Sequence, residues 1–174
     1  GVKDVRFLPF EDGGMYDEVA LRIEIAKVIA EIKPDVVIGP DHKLYPESHP
    51  DHLRVGEAVS KAYFMCSNVN MMKSVGATQI AKPTVLAYYF TGKPNRFVKI
   101  TKKDFEKTKV AYACFVSQCP PPDNGKSLML YMRLKVRLNG LRSFHIRADA
   151  FRVMNNMHIH CCGEAEDTAI RRPL

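Results

Sequence analysis

Residues 35–39, DVVIG, constrain the fold more than any other stretch of this chain. They form a short, nearly continuous apolar run, closed in front by Pro34 and followed by a loop. Such a run is too short for a helix and lacks the alternation of a half-exposed strand. It is the pattern of a parallel strand covered on both faces. The preceding segment supplies a cover. Between Tyr16 and Lys33, the residues Leu21, Ile25, Val28, Ile29 and Ile32 recur at helical spacing, and Pro34 ends the helix. Further upstream, DVRFLPF at 4–10 reads as a β-rich run that closes on the turn signal EDGG at 11–14. Strand, helix, strand in that order predicts a βαβ unit with a right-handed crossover.

The loop 40–48, PDHKLYPES, leads into a second predicted helix over 50–66, with Leu53, Val55, Val59, Ala62 and Cys66 facing inward. TVLAYYF at 84–90 and RFVKI at 96–100 read as two further strands. Residues 103–118 read as helix, CPPPDNG at 119–125 breaks the chain, and 126–138 reads as helix again. FHIRADAFRV at 144–153 reads as a last strand or an extended arm, and after Asn155 the pattern decays into a polar tail. Tyr63, Phe64 and Met65 are assigned to the core, and Cys114 is expected to be a small buried hydrophobe. The fold class is therefore α/β, with at least two strands in parallel, as a single domain over 1–155 and a tail over 156–174.

A chain of 174 residues with 46% hydrophobic content can bury one real core. Its 26 Lys and Arg against 19 Asp and Glu give a net charge of +7, which would suit an anionic partner. The excess is scattered, and the densest stretch, KITKKDFEKTK at 99–109, mixes in acids as a solvated helical face does. No RNP, zinc-finger or arginine-rich pattern accompanies the charge, so no nucleic acid is expected. Five irregularly spaced cysteines argue against a secreted disulfide framework and for a reducing, cytoplasmic setting. No apolar run approaches the roughly 20 residues that span a bilayer. The start, GVKDVRFLPF, carries no initiator methionine, and the expectation is a chain whose amino end is missing.

The segment that carries chemistry is PESHPDH at 46–52. It follows the carboxyl end of the strand 35–39, where open parallel sheets hold their ligands. Ser48 and Asp51 resemble a capping arrangement, and Pro50 is tolerated in a first turn. A helix starting here puts His49 and His52 three apart on one side. One imidazole can ligate a metal, the other can move a proton, and Asp51 can orient a ring. On spacing alone a capped helix start with two surface histidines fits slightly better.

The ordered set GVKDVRFLPFEDGGMYDE, LRIEIAKVIAEIKPDVVIGPD, SHPDHLRVGEAV, RFVKIT, AYACFVSQ and ADAFRV resembles the LmbE-like or PIG-L family of zinc-dependent N-deacetylases over residues 1–153. The resemblance implies a Rossmann-like, mostly parallel sheet flanked by helices, lacking the family's first strand and helix. It implies hydrolysis of the N-acetyl group of N-acetylglucosamine units on small amino sugars or glycolipids. It places a zinc ligand at His52, the acid at His49, its orienting aspartate at Asp51, and a sugar contact at Asp12, although the turn FEDGG lacks the family's proline. The other zinc ligands and the general base belong to an HPDD-type motif that is absent from 1–174 and expected upstream.

Other candidates stand outside that cluster. His42 shares the loop and is a possible substrate contact. His145, four residues before Asp149, is a possible contact to a neighbouring subunit's cleft, since a homo-oligomer is expected and carboxyl-terminal arms complete the site in some relatives. Ser117 and Gln118 match a family pair but read as structural. HIHCC at 158–162 gathers soft ligands at a spacing that matches no structural zinc pattern. The alternative to the hydrolase is a non-catalytic carbohydrate- or phosphate-binding α/β module.

Overall fold

The computed structural model describes residues 1–155 and 158–159. Its elements run α1 (Glu18–Ile32), β1 (Val36–Pro40), α2 (Pro50–Met65), α3 (Val69–Ser74), β2 (Val85–Tyr89), β3 (Arg96–Lys99), α4 (Lys102–Ala113), α5 (Lys126–Arg142) and β4 (Ala148–Met154), with a 3-10 turn at Val116–Gln118. The sheet order is β1-β2-β4-β3. β1 and β2 are parallel, with Val36 opposite Val85 and Pro40 opposite Tyr89. β4 runs antiparallel to β2, with Leu86 opposite Met154. The α/β class is therefore as the sequence predicts, but the two parallel strands are β1 and β2 rather than 4–10 and 35–39 of the expected βαβ unit.

The chain divides into two compact units, Gly1–Asn95 with the residues from Phe151 on, and Arg96–Ala150. In the first unit, α1 starts where Asp17 accepts a hydrogen bond from Ala20 N at 2.7 Å, and it ends at Lys33 in the left-handed region, just before Pro34. Small residues let α1 and α2 approach: Ala26 and Ala30 on one, Ala58 and Ala62 on the other, all fully buried or nearly so. Beneath them lie Val37 of β1, Leu86 and Tyr88 of β2, and Met154 of β4. Each fully buried large side chain of this kind contributes about 1.5–3 kcal/mol. α2 lies directly on β1. A Cβ on Gly39 would stand 3.1 Å from Val59 Cγ1, and one on Gly56 would stand 2.4 Å from the Pro40 carbonyl oxygen. The helix thus sits against the end of the strand from which the site loop leaves. Tyr63 donates its hydroxyl to Pro83 O at 2.8 Å and closes the far end of α2 onto the segment before β2.

In the second unit, α4 opens with a capping box in which Thr101 and Asp104 satisfy each other's backbone N–H. β3 is tied to the β4 approach by Ile100 N donating to Arg147 O at 3.0 Å. Phe105 and Val136 are buried here, while Leu130, Tyr131, Leu134 and Leu138 of α5 are exposed.

Several expectations are corrected. Residues 4–10 form no strand; Val5 and Phe7 are exposed, and Arg6 is instead held by Glu31. A β-prone run needs a neighbouring strand, and none pairs with it among the described residues. The predicted helix 103–118 stops at Ala113, which places Ser117 and Gln118 in the 3-10 turn and leaves Cys114 exposed. Tyr63 and Met65 are core, but Phe64 is 41% exposed because it falls on the outer face of α2. The helix α3 was not anticipated; it is short and begins at Asn68, whose side chain accepts from Asn70 N and Met71 N.

Candidate functional site

The loop from β1 to α2 is built of consecutive turns. Asp41 N extends the sheet ladder by donating to Tyr89 O at 3.0 Å. Leu44 N then donates to Asp41 O, and Glu47 N to Leu44 O, at 3.1 and 3.0 Å. This folding brings Glu47 over the entry to α2. Its Oε1 accepts the Ser48 and His49 backbone N–H groups at 2.9 and 2.8 Å, and its Oε2 lies 2.8 Å from His52 Nδ1. These contacts hold the Glu47 carboxyl down at a pKa of about 2, the His52 ring bond contributing most, then the His49 N–H. Glu47 escaped the sequence reading. Its signal was an acid two residues before His49 and five before His52, a spacing that brings groups together only when the loop turns back.

His49 is the N-cap residue of α2 and makes no side-chain cap; Pro50 follows at the first helical position. The expected Ser48 cap is thus corrected: the helix entry is held by Glu47. The rings of His49 and His52 stack with centroids 4.6 Å apart and planes inclined by 23°. Both remain reachable, with side chains 51% and 41% exposed. Phe90 stands 6.0 Å from the His52 ring centroid.

Asp51 faces the other way. Its two carboxylate oxygens accept the backbone N–H groups of Gly13 and Gly14 at 2.8 and 2.9 Å. The Gly13 N–H first, then side-chain bonds from Asp12 and Tyr16 and the Gly14 N–H, lower its pKa to about 2 against the cost of burial. His49 Nδ1 is 3.8 Å from Asp51 Oδ2, beyond hydrogen-bond reach. Asp51 is therefore first an anchor for the turn that carries Asp12. Gly14 makes that anchoring possible, since its φ is +74° and a Cβ there would lie 2.7 Å from Pro50 Cβ. Arg54 adds a bond to the Gly14 carbonyl and an ion pair with Glu18 at 3.4 Å. Asp12 and Asp51 together line an open cleft of about 320 Å³, with Leu8, Phe10 and Tyr16. That is the lower range of volumes that hold small organic ligands.

His42, second in the loop, is half-buried, its ring edge against Tyr88 at 5.5 Å and its Nδ1 without a hydrogen-bond partner. Burial, then the Arg152 charge, depresses its pKa and favours the neutral ring. His145 is exposed in the second unit, where its N donates to Gly140 O at 2.8 Å. Of the HIHCC segment, His160, Cys161 and Cys162 lie outside the described residues; His158 N donates to Asn155 Oδ1 at 3.1 Å. Among the described residues no three His, Cys, Asp or Glu side chains gather as a metal-binding group. No helix among them is long and apolar enough to cross a membrane.

Residues 1–63, which carry the Asp12 turn and the His49–His52 cluster, match the family model PIG-L, described as GlcNAc-PI de-N-acetylase. The chain is also 30% identical over 166 residues to the diacetylchitobiose deacetylase of Thermococcus kodakarensis, an alignment covering 93% of this chain and 61% of that protein. Over residues 1–63 the chain is similar to the PIG-L family. A further likeness is to the solved N,N'-diacetylchitobiose deacetylase of Pyrococcus horikoshii, with a TM-score of 0.80 at 25% identity over 92% of this chain and 61% of that one. A conserved protein of Thermus thermophilus shares the fold, with a TM-score of 0.63 at 22% identity over 82% of this chain and 61% of that one. The chain thus spans about three fifths of the length of the curated relative and the solved structures it matches.

Proposed function

We propose that the whole protein is a zinc-dependent hydrolase that removes the N-acetyl group from N-acetylglucosamine-type substrates, small amino sugars or glycolipids. The observation that carries this reading is the His49–His52 pair, stacked and solvent-accessible at the entry of α2, the helix whose Asp51 lines a cleft together with Asp12. The relative is a diacetylchitobiose deacetylase, which supports an N-acetylated amino sugar as the substrate class.

The residues fit a metal in part. His52 has the chemistry of a zinc ligand, because Glu47 occupies its Nδ1 and leaves Nε2 as the donor. Catalytic zinc takes three protein ligands, so the remaining donors and the general base are assigned to parts of the protein beyond the described residues. When bound, zinc supplies an acidified water and polarises the amide carbonyl. His49 gives a proton to the leaving amine; its ring stands free enough to reach it. Asp51 fixes the turn from which Asp12 reaches the sugar, and its Oδ2 lies 3.8 Å from His49 Nδ1. His42 and His145 are assigned to substrate contacts, His145 from a neighbouring copy in a homo-oligomer.

The test is acetate release from N,N'-diacetylchitobiose by the whole protein, with and without a chelator. Release that stops on metal removal and returns with zinc supports the reading. Sugar binding without acetate release, whatever metal is added, would make it a binding module instead.

A further inference from the structure

An imidazole ligates a metal through a ring nitrogen that carries a lone pair and no proton. Which nitrogen that is depends on what the other one touches. At His52 the other partner is a carboxylate, Glu47 Oε2 at 2.8 Å from Nδ1. A carboxylate can only accept, so the proton stays on Nδ1 and the lone pair on Nε2. Glu47 is itself held, since Oε1 takes the Ser48 and His49 N–H groups and the side chain is only 21% exposed. The ring is confined from a second side by His49, stacked at 4.6 Å.

We propose that Glu47 is a positioning residue that locks His52 in its Nδ1–H tautomer and aims Nε2 at the metal. This rests on the reading of His52 as a ligand. It adds a residue that the cluster's spacing did not reveal, and it gives the two Glu47 oxygens separate roles. Oε1 fixes the helix entry, and Oε2 fixes the ligand.

A purely structural role would need only the Oε1 contacts, and one substitution separates the two. In Glu47→Gln the amide oxygen can still accept the Ser48 and His49 N–H groups. Its NH2 then faces Nδ1 and requires a lone pair there, which drives the proton to Nε2. Glu47→Ala removes both contacts and leaves the ring to exchange between tautomers. A structural role therefore ranks glutamine as mild and alanine as damaging, whereas the positioning role makes glutamine at least as damaging as alanine.

The experiment uses metal-depleted whole protein, read by 15N-histidine NMR for the His52 tautomer and by zinc titration for affinity. Wild type should show Nδ1–H. Glu47→Gln should show Nε2–H with zinc affinity about 10–100-fold weaker. Glu47→Gln that keeps Nδ1–H and wild-type zinc affinity, while His52→Ala loses zinc, would overturn the role of Glu47 alone. Zinc unchanged in His52→Ala would instead overturn the ligand assignment beneath it. Should Glu47→Gln not fold, Glu47→Ala carries the test: a ring exchanging between tautomers supports the proposal, and one fixed as Nδ1–H overturns it.

Discussion

Asp41 and Arg152 lie 111 residues apart and meet as a buried two-point ion pair, with Nε to Oδ2 at 2.9 Å and NH2 to Oδ1 at 2.5 Å. Both side chains are only 3% exposed, and the guanidinium also stacks 4.5 Å from the Tyr88 ring centroid. The pair ties the first residue of the site loop to β4. Removing one member strands a buried charge, so Arg152→Met should cost about 3–5 kcal/mol. The double variant Asp41→Leu/Arg152→Met should lose much less, as read by urea unfolding. Burial raises the Asp41 pKa, but bonds from Arg152, Thr91 and the Lys43 N–H outweigh it and lower the pKa overall. The pair's stabilisation is therefore full above the unfolded carboxyl value of about 3.9 and fades as pH falls toward the lower folded value.

Asp51 has the same sign in a place that can be read locally. Its folded pKa of about 2 lies below the unfolded value, so its hold on Gly13 and Gly14 persists above about pH 4 and is lost as pH falls toward 2. The amide resonances of Gly13 and Gly14 should report this titration, and Asp51→Asn should abolish it.

Gly14→Ala should destabilise the chain by about 1–2 kcal/mol through its left-handed backbone alone. The close approach to Pro50 adds to that, because the new Cβ would sit 2.7 Å from Pro50 Cβ. A substitution at Gly13, where no atom lies within 4 Å of an added Cβ, should meet only the backbone penalty, and urea midpoints of the two variants compare them.

What the sequence disclosed and what it hid follow from range. Apolar spacing reports which face a segment buries, so α1, β1, α2 and β2 were legible from Leu21, Val37, Val59 and Leu86, whereas most apolar residues of α5 are exposed. Spacing does not report partners. The run 4–10 has strand composition but no strand beside it, and Arg6 pairs with Glu31 instead. The Asp41–Arg152 pair spans too much sequence for any local pattern, and Glu47 reaches His52 only because two successive turns reverse the loop. The histidines themselves were legible because a helix start fixes how two residues three apart project. The role of Asp51 was not legible, since both its oxygens are engaged by a turn 37 and 38 residues away.

His49→Ala should keep the metal and lower the rate of acetate release by about 10²–10⁴, the range for losing an acid–base group. The rate should fall mainly in kcat, because the ring acts on the leaving nitrogen and Asp12 remains to hold the sugar.

The most direct measurement is the zinc content of His52→Ala in the whole protein, set beside wild type and His49→Ala after purification without added metal. A zinc-dependent deacetylase that uses His52 as a ligand predicts zinc in wild type and His49→Ala and its loss from His52→Ala. Zinc retained in His52→Ala at the wild-type level would contradict it.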